Sequence, residues 1–202
     1  MTANTCTITI DGKTVELPVV EGTTGDRAID ISRLRELTGV TTLDSSLANT
    51  ASCRSAISWI DGENGRLLYR GIPIETLAEN KVSFVETAML LITGRLPTPA
   101  ERNDFSELLA RNSALHRNMD LHFNAFPPNS HPMAIMSAMI NAMSTHDRPK
   151  ITDEDSAIRN SAKLMSRVRT IAAASYKASV GEPAIYPRMD LSLIHISEPT
   201  RP

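Results

Sequence analysis

A stripe of basic residues late in the chain is its strongest candidate for binding chemistry. Arg159, Lys163 and Arg167 recur at intervals of four residues, which places three cations on one face of a helix. Like charges at that spacing destabilise a helix by about 0.2–0.5 kcal/mol per pair, so a compensating group is expected. One interpretation is structural: Asp155 pairs with Arg159, and water solvates the other cations. The functional alternative is an anion or nucleotide site that uses two of the three cations.

The other residues that could carry chemistry are isolated. His131 precedes a proline at a predicted helix start, where its imidazole either donates to a substrate oxygen or satisfies a backbone group of the entry turn. Cys53 stands beside Arg54, which could activate the thiol, but the local sequence supplies no base. His116 and His122 are six residues apart, so they do not form the pair that presents two metal ligands on one helix face. We therefore expect no metal site.

The beginning of the chain has the alternating pattern of β-strands. Apolar and polar side chains alternate over residues 5–20 on either side of Asp11-Gly12-Lys13, which predicts a β-hairpin. Residues 26–37 predict a short helix closed by Gly39, and residues 41–44 predict another extended segment. Together these elements are expected to form a small β-rich region.

A second hairpin is predicted further along. Its strands are residues 56–60 and 67–70, and the five residues between them favour turn geometry. Gly71-Ile72-Pro73 is expected to end this hairpin. From Leu77 onward, helix signals replace the strand pattern.

Two capping boxes mark helix starts. Ser83 and Glu86 stand three residues apart ahead of an apolar run, and Gly94 follows that run as the expected C-terminal stop. Thr98 and Glu101 repeat the pattern, with a proline at the first helical position. Each box predicts one helix.

Two more helices are predicted in the second half. Apolar residues recur at helical spacing from Pro132 to Met143, which indicates a buried helix. A last helix is expected to begin near Thr152, where acidic residues stabilise its positive end, and to stop at Gly181. The predicted fold class is mainly α, with a small β-rich region ahead of the helices.

Composition and charge restrict the kind of protein. The formal net charge of −2 gives no electrostatic footprint for nucleic acid or an anionic membrane. Two cysteines, a start without signal-peptide features and no apolar stretch of spanning length favour a reducing cytoplasm. The expected divisions are a β-rich region at 1–48, the first part of a helical domain at 49–190, and a tail at 191–202. The tail resembles the in-frame translation of a transposase adapter from DNA library preparation, so we expect it to be non-native and the gene to be cut off there.

Six short segments of the chain are distinctive when taken together and in order. They are Ala51-Ser52-Cys53-Arg54-Ser55, Ile60-Asp61-Gly62, Leu68-Tyr69-Arg70-Gly71-Ile72-Pro73-Ile74, Leu91-Ile92-Thr93-Gly94-Arg95-Leu96-Pro97-Thr98, Ser130-His131-Pro132-Met133 and Ile185-Tyr186-Pro187-Arg188. With these segments, essentially all of residues 1–190 closely resembles the front portion of bacterial citrate synthases. The β-rich start is similar to that of the large, hexamer-forming type of Gram-negative bacteria, whereas short forms and most 2-methylcitrate synthases lack it.

The resemblance implies an acyltransferase. Such an enzyme condenses acetyl-CoA with oxaloacetate to citrate and CoA in the tricarboxylic acid cycle, binds no metal or cofactor, and assembles as a dimer or hexamer. Two His and one Asp perform its acid–base chemistry, and they lie beyond the point where this chain stops. No catalytic residue is therefore named in this sequence, and the 202-residue chain is expected to be inactive. Two alternatives stay open: a 2-methylcitrate synthase that uses propionyl-CoA, and a non-catalytic helical assembly or regulatory module.

The resemblance also gives the basic residues a role. Many hexameric members are inhibited by NADH at an allosteric site on the helical domain. Arg111, Lys163 and Arg167 resemble the basic residues that line that site. We therefore take NADH as the expected effector.

Overall fold

The structure of the chain, a computed structural model, describes residues 4–146, 149–183 and 185–187. Contacts divide these residues into two compact units, and the chain passes from the first to the second after Ser55. Each unit contains a small sheet, and the longer helices belong to the second.

The first unit is a three-stranded antiparallel sheet with one short helix. Its elements are β1 (Thr5–Ile10), β2 (Lys13–Glu21), β3 (Arg27–Ile29) and α1 (Leu34–Thr38), and the strands lie in chain order. Asp11 and Gly12 join β1 to β2 with φ angles of 49° and 77°, the left-handed geometry of a two-residue hairpin turn. The predicted first hairpin is confirmed, and Leu17 on its inner face is buried.

The helix predicted over residues 26–37 is wrong in its first half. Residues 27–29 form β3 and pair with Val19–Glu21 of β2. Only Leu34–Thr38 are helical, and Gly39 ends the helix with a φ of 79°. Strand pairing gives residues 27–29 hydrogen-bond partners from another part of the chain, which local helix signals cannot reveal.

The segment 41–44, predicted to be extended, joins neither sheet. Its last residue, Asp44, accepts hydrogen bonds from the backbone N–H of Ser46 at 3.1 Å and of Asn49 at 2.8 Å. These bonds, with that to Asn49 the largest contribution, lower the pKa of Asp44. The segment therefore leads into a loop held by side-chain-to-backbone hydrogen bonds and takes no part in either sheet.

A second three-stranded antiparallel sheet opens the second unit. Its strands are β4 (Ser58–Asp61), β5 (Arg66–Tyr69) and β6 (Ile72–Pro73), again in chain order. The pairing of β4 with β5 confirms the predicted second hairpin. This hairpin ends at Tyr69, ahead of Gly71-Ile72-Pro73, but the third strand β6 is not predicted: Arg70 and Gly71 turn the chain with φ angles of 51° and 84°, and Ile72 pairs with Tyr69.

Six helices follow in the second unit. They are α2 (Ile74–Glu79), α3 (Phe84–Thr93), α4 (Pro99–Arg111), α5 (Arg117–Phe123), α6 (Pro132–His146) and α7 (Glu154–Ser179). Both predicted capping boxes are present, formed by Ser83 with Glu86 before α3 and by Thr98 with Glu101 before α4. Gly94 ends α3 with a φ of 85°, as its position predicts.

Helices α6 and α7 confirm the two helices predicted in the second half of the chain. The sequence pattern predicts no helix at the position of α5. The N-cap of α5 is His116, whose Nδ1 accepts a hydrogen bond from Asn118 N–H at 3.2 Å. Histidine is not among the residues that usually signal a helix start. A seven-residue helix also shows little periodicity, so α5 is recognisable only in the folded chain.

Helix α7 is the centre of the second unit and contacts α3, α4, α5 and α6. Its buried residues include a row of small side chains at intervals of four: Ala162, Ser166, Thr170 and Ala174. Two of their hydroxyls donate to the end of α4, from Ser166 to the Leu109 carbonyl and from Thr170 to the Ser113 carbonyl at 2.7 Å. Small side chains and interhelical hydrogen bonds thus hold α7 close to α4.

Two apolar clusters flank α7. One joins α5, α6 and α7, and its most buried members are Met119, Ile135, Met139 and Ile171. The other joins α3, α4 and α7 through Met89, Phe105, Leu109 and Ala162. The predicted mainly α class with small sheets is confirmed. None of the described helices is both long enough and apolar enough to cross a membrane.

Candidate functional site

A cleft of about 430 Å³ lies between α6 and α7. One wall is the C-terminal half of α6, and the other is the first half of α7 with the connection that precedes it. The lining includes Met143, Ser144, Ile151, Lys163, Leu164 and Arg167. Two members of the basic stripe therefore lie at one cleft.

Helix α7, which forms one wall of this cleft, begins at a reciprocal cap. Asp153 accepts a hydrogen bond from Ser156 N–H at 2.7 Å, and Ser156 Oγ accepts one from Asp153 N–H at 3.1 Å. Ala162 of this helix is fully buried, with 0% of the residue's surface exposed. Lys163 and Arg167 lie beside that buried face, because helical residues one step apart point in directions about 100° apart.

Apolar side chains form the rest of the cleft surface. Asn160 Nδ2 donates to the Lys150 carbonyl at 3.2 Å, which ties the connection before α7 to the helix. Ile151 on that connection is 67% exposed, and Leu164 on α7 is 50% exposed. A cleft with apolar walls and cations suits a ligand that has both an apolar surface and an anionic group.

The two cations of the cleft are held within the protein. Partial burial lowers the pKa of Arg167, but a guanidinium remains charged at any physiological pH. Lys163 and Arg167 both interact with other groups of the chain. An incoming anion would therefore exchange with existing interactions, and reduced solvation of Arg167 would strengthen its attraction to that anion.

The other two basic candidates lie elsewhere. Arg111, the last residue of α4, forms an ion pair with Glu107 one turn earlier and does not line the cleft. Arg159 is exposed and forms no ion pair within 4 Å with Asp155 in the described part of the chain, so that predicted pair is wrong. Arg159 instead contributes to lowering the pKa of Asp153, an effect due mainly to the hydrogen bond from Ser156 N–H.

The isolated residues have structural surroundings. His131 accepts a hydrogen bond from Met133 N–H at 3.2 Å, which is the entry-turn role that the structural interpretation gives it. Cys53 is an exposed free thiol and Cys6 a half-buried one. Among residues 4–146, 149–183 and 185–187, no group of three or more His, Cys, Asp or Glu side chains is arranged to hold a metal ion.

A second cleft, of about 490 Å³, is lined by residues of α3, α4 and α7 and of the connection between α3 and α4. Arg95 and Glu101 meet in it through two hydrogen bonds, of 2.9 Å and 2.5 Å. The bond from Arg95 is the largest cause that lowers the pKa of Glu101 to about 2, and bonds from Thr98 add to it. This pair ties the end of α3 to the start of α4, so we assign it a structural role.

Sequence reasoning found the two cations but missed the apolar half of the cleft. Ile151 precedes α7, Leu164 lies outside the inward stripe of that helix, and both are exposed. An apolar residue directly after Lys163 on the outer face of an amphipathic helix was the available signal. That α6 would lie beside it could not be read from spacing.

Comparison with known proteins identifies the class to which this helical unit belongs. The family model described as "Citrate synthase, C-terminal domain" matches residues 46–196. The chain therefore belongs to the citrate synthase family, which is a family of acyltransferases. It is 38% identical over 195 residues to Citrate synthase 1 of Mycobacterium tuberculosis. That alignment covers 96% of this chain and 45% of the relative.

Solved structures agree with this assignment. The chain resembles the citrate synthase of Thermotoga maritima with a TM-score of 0.63 at 32% identity, over 77% of this chain and 41% of that one. It resembles the citrate synthase of Pyrobaculum aerophilum with a TM-score of 0.65 at 26% identity, over 89% and 44%. The chain also shares its fold with the Thermoplasma acidophilum citrate synthase solved with carboxymethyl coenzyme A and oxaloacetate. That comparison has a TM-score of 0.71 at 20% identity and covers 78% of this chain and 42% of that one.

Proposed function

We propose that the complete protein is a citrate synthase, which condenses acetyl-CoA with oxaloacetate to give citrate and CoA in the tricarboxylic acid cycle. The match of residues 46–196 to the family model carries this proposal. The relatives in that comparison are named citrate synthases, and one of the similar structures holds oxaloacetate with a coenzyme A derivative. Acetyl-CoA enters as co-substrate, and no resident cofactor or metal is needed.

We further propose that the 202-residue chain has no activity by itself. The resemblance implies that the family's two His and one Asp lie beyond the point where this chain stops, and the chain spans 45% of the length of Citrate synthase 1. The described histidines all have local roles. His116 and His131 accept backbone hydrogen bonds, His122 bonds to the Asn118 carbonyl at 2.9 Å, and His146 stacks on His116.

Release of CoA in the presence of oxaloacetate tests both proposals. The 202-residue chain should release none above the blank, whereas the complete protein, obtained by resequencing the gene past the codon for residue 190, should turn over acetyl-CoA. A preference for propionyl-CoA would make the protein a 2-methylcitrate synthase. No turnover of either thioester by the complete protein would favour a non-catalytic assembly or regulatory module, and citrate formation by the 202-residue chain would overturn its predicted inactivity.

We also propose that NADH is an effector that binds the cleft between α6 and α7. Lys163 and Arg167 would meet the phosphates, and the exposed apolar groups of Ile151 and Leu164 would meet a ring. The volume of about 430 Å³ lies in the range usual for small-molecule sites, about 300–1,000 Å³. Arg111, which pairs with Glu107, would take part only after leaving that partner.

The stripe itself offers a matched control for this proposal. Lys163→Ala combined with Arg167→Ala in the complete protein should weaken NADH binding by about 150-fold or more, because it removes two charged hydrogen bonds that contribute about 1.5–3 kcal/mol each. Arg159→Ala removes a cation from the same helix outside the cleft and should leave the affinity within about twofold. Equal affinity of the double variant and the wild type would refute the proposal.

We propose a hexamer of the Gram-negative type, with a dimer as the smaller alternative, in the cytoplasm, and domain limits at 1–48 and 49–190. We also propose that residues 191–202 are non-native. They lie outside the described residues, and the family match runs to residue 196. Resequencing decides the tail, and the mass of the complete protein in solution decides the assembly.

A further inference from the structure

The stretch from α5 to the end of α6 holds all four histidines that the structure describes: His116, His122, His131 and His146. The two helices pack on each other and on α7 through Met119, Phe123 and Met139. Neither the family assignment nor the cleft accounts for this concentration of imidazoles. We call residues 116–146 the histidine hairpin.

Two of these imidazoles begin the two helices of the hairpin. His116 Nδ1 accepts a hydrogen bond from Asn118 N–H at 3.2 Å at the start of α5. His131 Nδ1 accepts one from Met133 N–H, also at 3.2 Å, at the start of α6. A nitrogen that accepts cannot carry a proton, so both bonds exist only while the rings are neutral. A protonated ring would also place positive charge at the positive end of a helix.

The third imidazole connects the ends of the hairpin. The rings of His116 and His146 stack with centroids 4.5 Å apart and planes inclined by 16°. His146 lies in the last turn of α6, where a cation is favourable. A charge on His146 is therefore compatible with the end of α6, whereas charges on both rings would remove the cap of α5 and set two cations face to face.

The charged groups on the helices near the stack are of both signs. On α5, Arg117 adjoins His116, and Asp120 one turn later accepts a hydrogen bond from Tyr186 Oη at 3.0 Å. On α6, His146 is the only titratable group. On α7, Lys163 and Arg167 line the cleft beside Met143, one turn before His146. Among the described residues of α5 and of the cleft lining, Asp120 is thus the one carboxylate, and Arg117, Lys163 and Arg167 are the cations.

We propose that the histidine hairpin is an acid-sensitive element, in which protonation of His116 and His131 releases the starts of α5 and α6 and separates α5 from α6. Histidine side chains in general change charge between about pH 5 and 8, which sets the pH interval to be tested. Separation exposes Met119 and Phe123, which are 1% and 5% exposed when the hairpin is closed. Helices α3 and α4, whose caps are Ser83 and Thr98, contain no group of this kind.

Amide hydrogen exchange of the 202-residue chain at about pH 7.5 and pH 5.5, corrected for intrinsic rates, tests the proposal. The protection factors of α5 amides should fall by about fivefold or more at the lower pH, while those of α3, the internal reference, stay within twofold. Binding of an apolar dye should rise over the same pH interval. Equal losses in α3 and α5, no loss in α5, or no protection of α5 at pH 7.5 would each overturn the proposal.

Variants assign the effect to the caps. His116→Asn with His131→Asn keeps a good N-cap that does not titrate, so α5 protection should become equal at the two pH values. His122→Asn is the matched control, because His122 bonds to a carbonyl of its own helix and caps no start; it should keep the wild-type loss. Each single variant should retain part of it. A wild-type loss in the double variant, or an abolished loss in His122→Asn, would refute the role of the caps.

Discussion

The hydroxyl of Thr170 should be one of the strongest single attachments of α7 to its neighbours. Thr170 is 6% exposed and donates to the Ser113 carbonyl at 2.7 Å, and Ser113 is 3% exposed. Thr170→Val replaces the hydroxyl by a methyl group of nearly the same size. Water cannot reach the carbonyl that loses its donor, so the cost is that of a buried unsatisfied acceptor, about 1–3 kcal/mol.

Urea unfolding followed by circular dichroism measures this cost, and Thr145→Val is the matched control. Thr145 lies on α6, is exposed, and donates to the carbonyl of Ala142 at 2.8 Å. Water replaces that bond, so Thr145→Val should change the free energy of unfolding by less than about 0.5 kcal/mol. A loss of 2 kcal/mol in Thr170→Val corresponds to a fall in melting temperature of roughly 4–8 °C for a chain of this size. Equal free energies of unfolding for the two variants would show that burial does not decide how much this hydroxyl stabilises the fold.

Three other predictions concern the core, the ion pair between α3 and α4, and a helix end. Met139→Ala should lower the free energy of unfolding by about 2–5 kcal/mol in urea titration, because Met139 is 1% exposed between α5, α6 and α7. Glu101→Gln should have a lower melting temperature than the wild type at neutral pH. Its pKa is lowered to about 2, so the stability contributed by the carboxylate is fully present above its ordinary value of 4.5 and is lost as the pH falls towards 2. The melting temperatures of the wild type and the variant should therefore converge between pH 4.5 and about 2. A difference in melting temperature that stays constant with pH would contradict the bond with Arg95 as its cause. Gly94→Ala should cost about 1 kcal/mol from backbone conformation alone, because Gly94 has a φ of 85° and a Cβ would have its nearest contact at 3.9 Å. Gly62→Ala, at a glycine without a positive φ and with open space around it, is the control that should cost much less.

Local chemistry explains which elements could be predicted. Ser83 with Glu86 and Thr98 with Glu101 form reciprocal bonds within three residues, so the bonds that begin α3 and α4 are encoded in adjacent sequence. The first hairpin is similar, because Asp11-Gly12 accommodates the turn that sets its register. Such elements need no information from the rest of the fold.

Elements that depend on distant partners were mispredicted or missed. Strand β3 exists because β2 offers it a free edge, and β6 exists because Arg70 and Gly71 return the chain to β5. Helix α5 is short and begins at a histidine, so its existence rests on burying Met119 and Phe123 against α6 and α7. In each case tertiary contact outweighs local preference.

The cleft shows the same division. The sequence by itself determined that Lys163 and Arg167 share a helix face, because residues four apart are neighbours on any α-helix. It also determined the family, through short segments in a fixed order. Only the tertiary structure decided that this face meets the end of α6, that Arg159 and Arg111 stay outside the cleft, and that two imidazoles stack. Those outcomes depend on how the helices pack against one another, which brings groups far apart in sequence to within hydrogen-bond and van der Waals distance.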